Sequence, residues 1–149
     1  IDTSNIVKIA EKSSSVVLDC AYRAPSSDFD IDLNLFNALT ALANDQNNVL
    51  ICGYFNVPEL NWPLECSGSL NRSSQLLVDL ISDFHLYQMV LGPTRYRKNQ
   101  CPSVLDLVLS YNPDLIANLE YSSPIGKQRC DNSSESLDQH TGYKLIIKC

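Results

Sequence analysis

Four residues could do chemistry in this sequence: Tyr22, Tyr54, Asn56 and Asp106. Each stands where an apolar run breaks. Tyr22 follows SVVLDC at 15–20, Tyr54 and Asn56 follow VLICG at 49–53, and Asp106 lies inside VLDLVLS at 104–110. In an open α/β sheet, ligands bind just past the carboxyl ends of strands. A carboxylate inside an apolar strand is costly unless something pairs with it. Asp106 therefore faces a partner or reaches solvent near a strand end, and pattern alone leaves both open. Tyr22 also reads as a core or turn residue, and Asn56 as a turn residue that satisfies its own backbone. A phenol at position 54 is an odd choice where a small acid would serve, since with a pKa of about 10 it is a poor base at neutral pH.

The elements that must position these groups follow from the flanking patterns. Residues 15–20 read as a buried strand, and YRAPSSD at 22–28 as a polar turn. Leu33, Phe36, Leu39 and Ala43 recur at helical spacing over 29–43, and Val49 to Cys52 is again strand-like. Strand, helix and strand in that order predict a layered α/β domain. Residues 58–72, with two prolines and the single tryptophan, read as a long loop. Leu76, Leu77, Leu80, Ile81 and Phe84 predict an amphipathic helix from about Ser73 or Ser74. Further strands are expected at 86–91, at 104–109 with Asp106 interrupting it, and at 115–121, with a basic loop at 93–102. Past Pro124 the sequence GKQRCDNSSESLDQHTG is polar and lacks periodicity, so 128–149 reads as a divergent tail, disordered or adding an edge strand at 143–147.

Composition narrows the classes. A chain of 149 residues with 44% hydrophobic content predicts one domain with a real core. No run approaches the roughly 18 apolar residues of a membrane helix, and no leader pattern opens the chain. The expectation is an intracellular protein, nuclear or cytoplasmic, not secreted and without a membrane partner; starting at Ile1, it also reads as part of something longer. A net charge of -6 argues against tight nonspecific nucleic-acid binding, though not against a nuclease helped by a divalent metal. Cys20, Cys52, Cys66, Cys101, Cys130 and Cys149 include no CxxC pair and read as reduced, structural thiols. The sequons at Asn71 and Asn132 are short matches of little weight.

The series VVLDCAYRAPSSD, NNVLICGYFNVPELNWP, LVDLISDFHLYQMVLGPTRYR, CPSVLDLVLSYNPDLI and NLEYSSPIGK resembles the endonuclease domain of non-LTR retrotransposons of jockey/RTE type. That domain is a branch of the endonuclease/exonuclease/phosphatase family. The resemblance runs from about Val16 to Lys127 and implies a partial domain over 1–127. The implied fold is part of a two-sheet β-sandwich flanked by helices, lacking its amino-terminal strands. The implied reaction is hydrolysis of a DNA phosphodiester with magnesium, with a reverse transcriptase domain in the parent polyprotein. By the same resemblance, Tyr22 matches the tyrosine that contacts the scissile phosphate. Asn56 matches the asparagine of a Gly-Asp-Phe-Asn motif that places nucleophile and phosphate, and Asp106 the aspartate that orients the catalytic histidine. The basic loop Arg95-Tyr96-Arg97-Lys98 lies near the DNA backbone or is a solvated charged turn.

Three departures bear on activity. Tyr54 occupies the position of the family's catalytic aspartate, and losing a positioned base typically removes about 10² to 10⁴ in rate. After Gly126-Lys127 the family's Ser-Asp-His triplet is replaced by Gln128-Arg129-Cys130, with His140 the nearby substitute and His85 reading as structural. The family's metal-binding glutamate is absent, so the chain alone is not expected to hold Mg²⁺. Two classes remain open: a metal-dependent nicking endonuclease or its remnant, and a non-enzymatic binding or interaction domain.

Overall fold

The computed structural model describes residues 4–11, 14–45, 48–64, 69–96, 99–122, 139–140 and 142–147. Its elements are β1 (Ser4–Glu11), β2 (Ser14–Tyr22), α1 (Phe29–Asp45), β3 (Val49–Tyr54), α2 (Arg72–Asp83), β4 (Tyr87–Gln88), β5 (Arg95–Tyr96), β6 (Asp106–Ser110), β7 (Ile116–Ser122), β8 (Gln139–His140) and β9 (Gly142–Ile147). A 3-10 turn, Pro113–Leu115, leads into β7. The fold is mixed α/β: the described residues form one five-stranded sheet, ordered β1-β2-β3-β6-β4, and two helices. Two two-stranded ribbons, β5-β8 and β7-β9, complete the described strands. The β2 and β3 strands run parallel, joined through α1, while β6 runs antiparallel to β3.

On α1 the buried residues are Asp32, Leu35, Phe36, Leu39 and Ala43, with Leu33 only half-buried. The stripe therefore runs along 32, 35/36, 39 and 43, and it carries an acid. On α2, Leu77, Val78, Leu80 and Ile81 are buried. Four such side chains contribute on the order of 6 to 12 kcal/mol, which outweighs the few tenths per residue that serine and β-branched residues cost a helix. The helix begins at Arg72, slightly ahead of its apolar run, because the Asn71 side chain accepts the Ser74 N–H at 2.8 Å. One buried cluster joins both helices to Val49, Leu50 and Ile51 of β3 and Leu107, Val108 and Leu109 of β6.

Several sequence expectations change. The strand expected at 86–91 shrinks to Tyr87–Gln88, because the Gln88 side chain takes both the N–H and the carbonyl of Val90 and ends the ladder. Asp106 does not interrupt a strand; it is the first residue of β6. The preceding Leu105 leaves the ladder, its carbonyl accepting Phe55 N–H at 2.8 Å. Residues 4–11, without a sequence expectation, form an edge strand paired antiparallel with β2. Gly142–Ile147 forms β9 against β7, so this stretch of the tail is an ordered strand. Among the described residues no helix is long and apolar enough to cross a membrane.

Candidate active site

The four residues picked from the sequence converge at one end of the five-stranded sheet. Tyr22 closes β2, Tyr54 closes β3 and Asp106 opens β6. They are direct register partners, Tyr22 with Tyr54 and Tyr54 with Asp106, so all three point to the same face. The Tyr22 and Tyr54 rings stack at 5.8 Å between centroids and 20° between planes. The Tyr54 hydroxyl donates to Asn56 Oδ1 at 3.2 Å. Tyr54, Asp106 and Arg95 each make at least one further contact besides these.

Local backbone explains why the turn has this shape. Gly53 adopts φ +151°, and a Cβ there would lie 1.8 Å from the Ala21 carbonyl oxygen. Only glycine lets β3 pass that close to β2 and bring Tyr54 beside Tyr22. Asn56 adopts φ 49°, the left-handed region that asparagine tolerates better than most residues. Between them Phe55 is fully buried and packs 6.4 Å from Phe36 of α1. Its N–H is held by Leu105, whose own N–H, with that of Asp106, goes to the buried Thr94 hydroxyl at 3.0 and 3.1 Å.

A buried cation ties this turn to α1. Arg23 N–H donates to the Tyr54 carbonyl at 2.8 Å, and its guanidinium donates to the carbonyls of Asn56 at 3.0 Å and Phe55 at 3.4 Å. The other guanidinium nitrogen meets Asp32 Oδ2 at 2.8 Å. Burial raises the Asp32 carboxyl, but the bonds and charge of Arg23, with Ser73 and Ser27, outweigh it and hold the group below the usual carboxylate range. Sequence reasoning passed over Arg23, Asp32 and Thr94. The acid at 32 left a signal, since it falls on the apolar stripe of its helix; Thr94 left none.

Other candidates lie elsewhere. His85 is exposed at the end of α2, in a left-handed turn. His140, in β8, is the register partner of Arg95 in β5, and Arg95 also bridges to Ser103, three residues before Asp106. Arg97, Lys98 and 123–138, where the triplet was sought, lie outside the described residues. Among the described residues no group of three or more His, Cys, Asp or Glu is placed to hold a metal. With a phenol between Tyr22 and Asp106 and its hydroxyl on Asn56, Asp106 supplies the one carboxylate of the row, and magnesium takes one or two carboxylates together with substrate oxygens.

A family model described as endonuclease-reverse transcriptase matches residues 16–137. Among solved structures, the endonuclease domain of TRAS1, a telomere-specific non-LTR retrotransposon, is similar at a TM-score of 0.66 and 14% identity. That match covers 98% of this chain and 62% of the other, so this chain spans less than two thirds of the structure it resembles. At that identity the likeness speaks for the fold. No curated protein matches the chain.

Proposed function

This chain belongs to the endonuclease-reverse transcriptase family, and on that premise we propose that it is the remnant of a retrotransposon's DNA-nicking endonuclease in which hydrolysis no longer runs. The observation carrying this reading is the row Tyr22, Tyr54, Asp106, with the Tyr54 hydroxyl on Asn56. The frame that would align a phosphate and a water is kept, and a phenol stands in the place of the proton acceptor. DNA is the substrate class, and the reverse transcriptase of the same polyprotein the neighbouring activity. Magnesium would serve the parent enzyme by polarising the phosphate; no step is assigned to it on this chain. The test is nicking of supercoiled plasmid with magnesium: no product above buffer is expected. Cleavage abolished by EDTA would overturn the reading.

A second reading keeps the enzyme alive through His140. It is favoured by one observation, the pairing of His140 with Arg95 of β5, which also bridges to Ser103 three residues before Asp106. In that case the plasmid is nicked, and His140→Ala abolishes nicking while leaving the fold intact.

A further inference from the structure

Directly below the tyrosine row lies a second matched pair, Cys20 on β2 and Cys52 on β3. The two are Cα register partners, and their sulfurs are 3.8 Å apart. By the period of two they share the face of Tyr22 and Tyr54. Cys20 is exposed and Cys52 half-buried, and both are free thiols. Neighbouring strands run about 4.8 Å apart, inside the roughly 4.4 to 6.8 Å between Cα atoms that a disulfide spans. Bonding closes the 3.8 Å between the sulfurs through rotation about the Cα–Cβ bonds and a small approach of the two strands. No catalytic role is assigned to either residue.

We infer that Cys20 and Cys52 are a redox pair that closes to a cross-strand disulfide when a low-molecular-weight disulfide such as oxidised glutathione is present. The exposed Cys20 enters first. Its thiolate attacks glutathione disulfide, forming a Cys20–glutathione mixed disulfide and releasing one glutathione thiolate, which takes up a proton. Cys52 then loses its proton to solvent and attacks the Cys20 sulfur; the Cys20–Cys52 bond forms and the second glutathione leaves and is protonated. Two protein thiols are oxidised and one glutathione disulfide is reduced to two thiols. Burial first, then Cys20 and Asp19 alongside, push the Cys52 thiol up to about 12, so the second step is the slow one. A directly cross-strand bridge between parallel neighbours ties the two strand ends that carry Tyr22 and Tyr54.

The experiment uses the whole chain, incubated with oxidised glutathione, alkylated and digested with trypsin and a glutamyl endopeptidase. Cleavage after Arg23, Glu59 and Glu65 separates Cys20, Cys52 and Cys66 onto different peptides. The expected product is a linked Cys20–Cys52 peptide that disappears on reduction. Its rate of formation should rise up to about tenfold per pH unit above neutrality, as the Cys52 thiolate fraction grows. In Cys52→Ser the mixed disulfide at Cys20 should accumulate instead. Both cysteines recovered alkylated, Cys20 remaining glutathionylated in the unmutated chain at pH 9, or linkage only to Cys66, Cys101, Cys130 or Cys149 would each overturn the inference. The readout is independent of nicking, so it stands or falls apart from the nuclease reading.

Discussion

Two buried aspartates flank the same strands and are treated in opposite ways. Asp32, on α1, meets the guanidinium of Arg23, which in turn holds the carbonyls of the turn after β3. Asp19, in the middle of β2, is 1% exposed, and neither carboxylate oxygen has a hydrogen-bond partner. Burial accordingly raises its carboxyl above the usual range, whereas that of Asp32 is lowered. The turn that positions Tyr54 and Asn56 is thus tied to α1 through the Arg23–Asp32 ion pair, although Arg23 Nε and Asp32 Oδ1 lack partners, and β2 carries a buried carboxyl that no hydrogen bond offsets.

Breaking the secured side should have the largest effect. Asp32→Ala leaves Arg23 buried without its counter-ion, and a loss of about 3 to 5 kcal/mol is expected from urea unfolding. Replacing both residues, Arg23→Met with Asp32→Leu, should cost far less than the single change, because no charge is stranded. If the single and double variants unfold at the same urea concentration, the clamp is not what holds the turn.

The unsecured side should respond with the opposite sign. Asp19→Val removes a buried, unpartnered carboxylate and should stabilise the fold by roughly 1 to 3 kcal/mol at neutral pH. The pH dependence sharpens the contrast. A raised carboxyl leaves stability intact below the ordinary value of about 3.9 and loses it as pH climbs through the folded value. A lowered one contributes stability above the ordinary value and loses it as pH falls through the folded value. The advantage of Asp19→Val should therefore vanish at the acid end and grow as pH rises, while Asp32→Ala should approach the parent chain only in acid. An advantage for Asp19→Val that is flat with pH would show that Asp19 is neutral throughout.

Smaller effects are expected at the site itself. Tyr54→Phe removes one half-buried hydrogen bond to Asn56 and should cost about 0.5 to 1.5 kcal/mol, read as a modest shift in midpoint. Tyr54→Asp should change nicking not at all, since it supplies one acid without the other parts of the machinery. Magnesium-dependent nicking restored by that single change would mean the rest of the site is intact.

Much of the fold was legible because its signals are local. The 76–84 periodicity marked α2, the break at Gly53 marked the end of β3, and VLDLVLS marked β6. What failed to show depended on partners distant in the chain. β1 is a strand through its pairing with β2, and the Leu86 to Leu91 run stops being one because Gln88 captures Val90. The resemblance singled out Tyr22, Asn56 and Asp106, whose types break an apolar pattern. Arg23 and Thr94 escaped notice because an arginine and a threonine beside a turn look ordinary until their burial is known.

By itself the sequence determined the family and the strand-helix-strand order, because motif and periodicity are written in neighbouring residues. Tertiary structure alone decided that Tyr22, Tyr54 and Asp106 form one row, that Arg23 is buried against Asp32, and that Cys20 lies 3.8 Å from Cys52. Register between strands is fixed by which faces a sheet buries and how closely its backbones approach, here at Gly53 against Ala21, and no stretch of the chain read alone contains that contact.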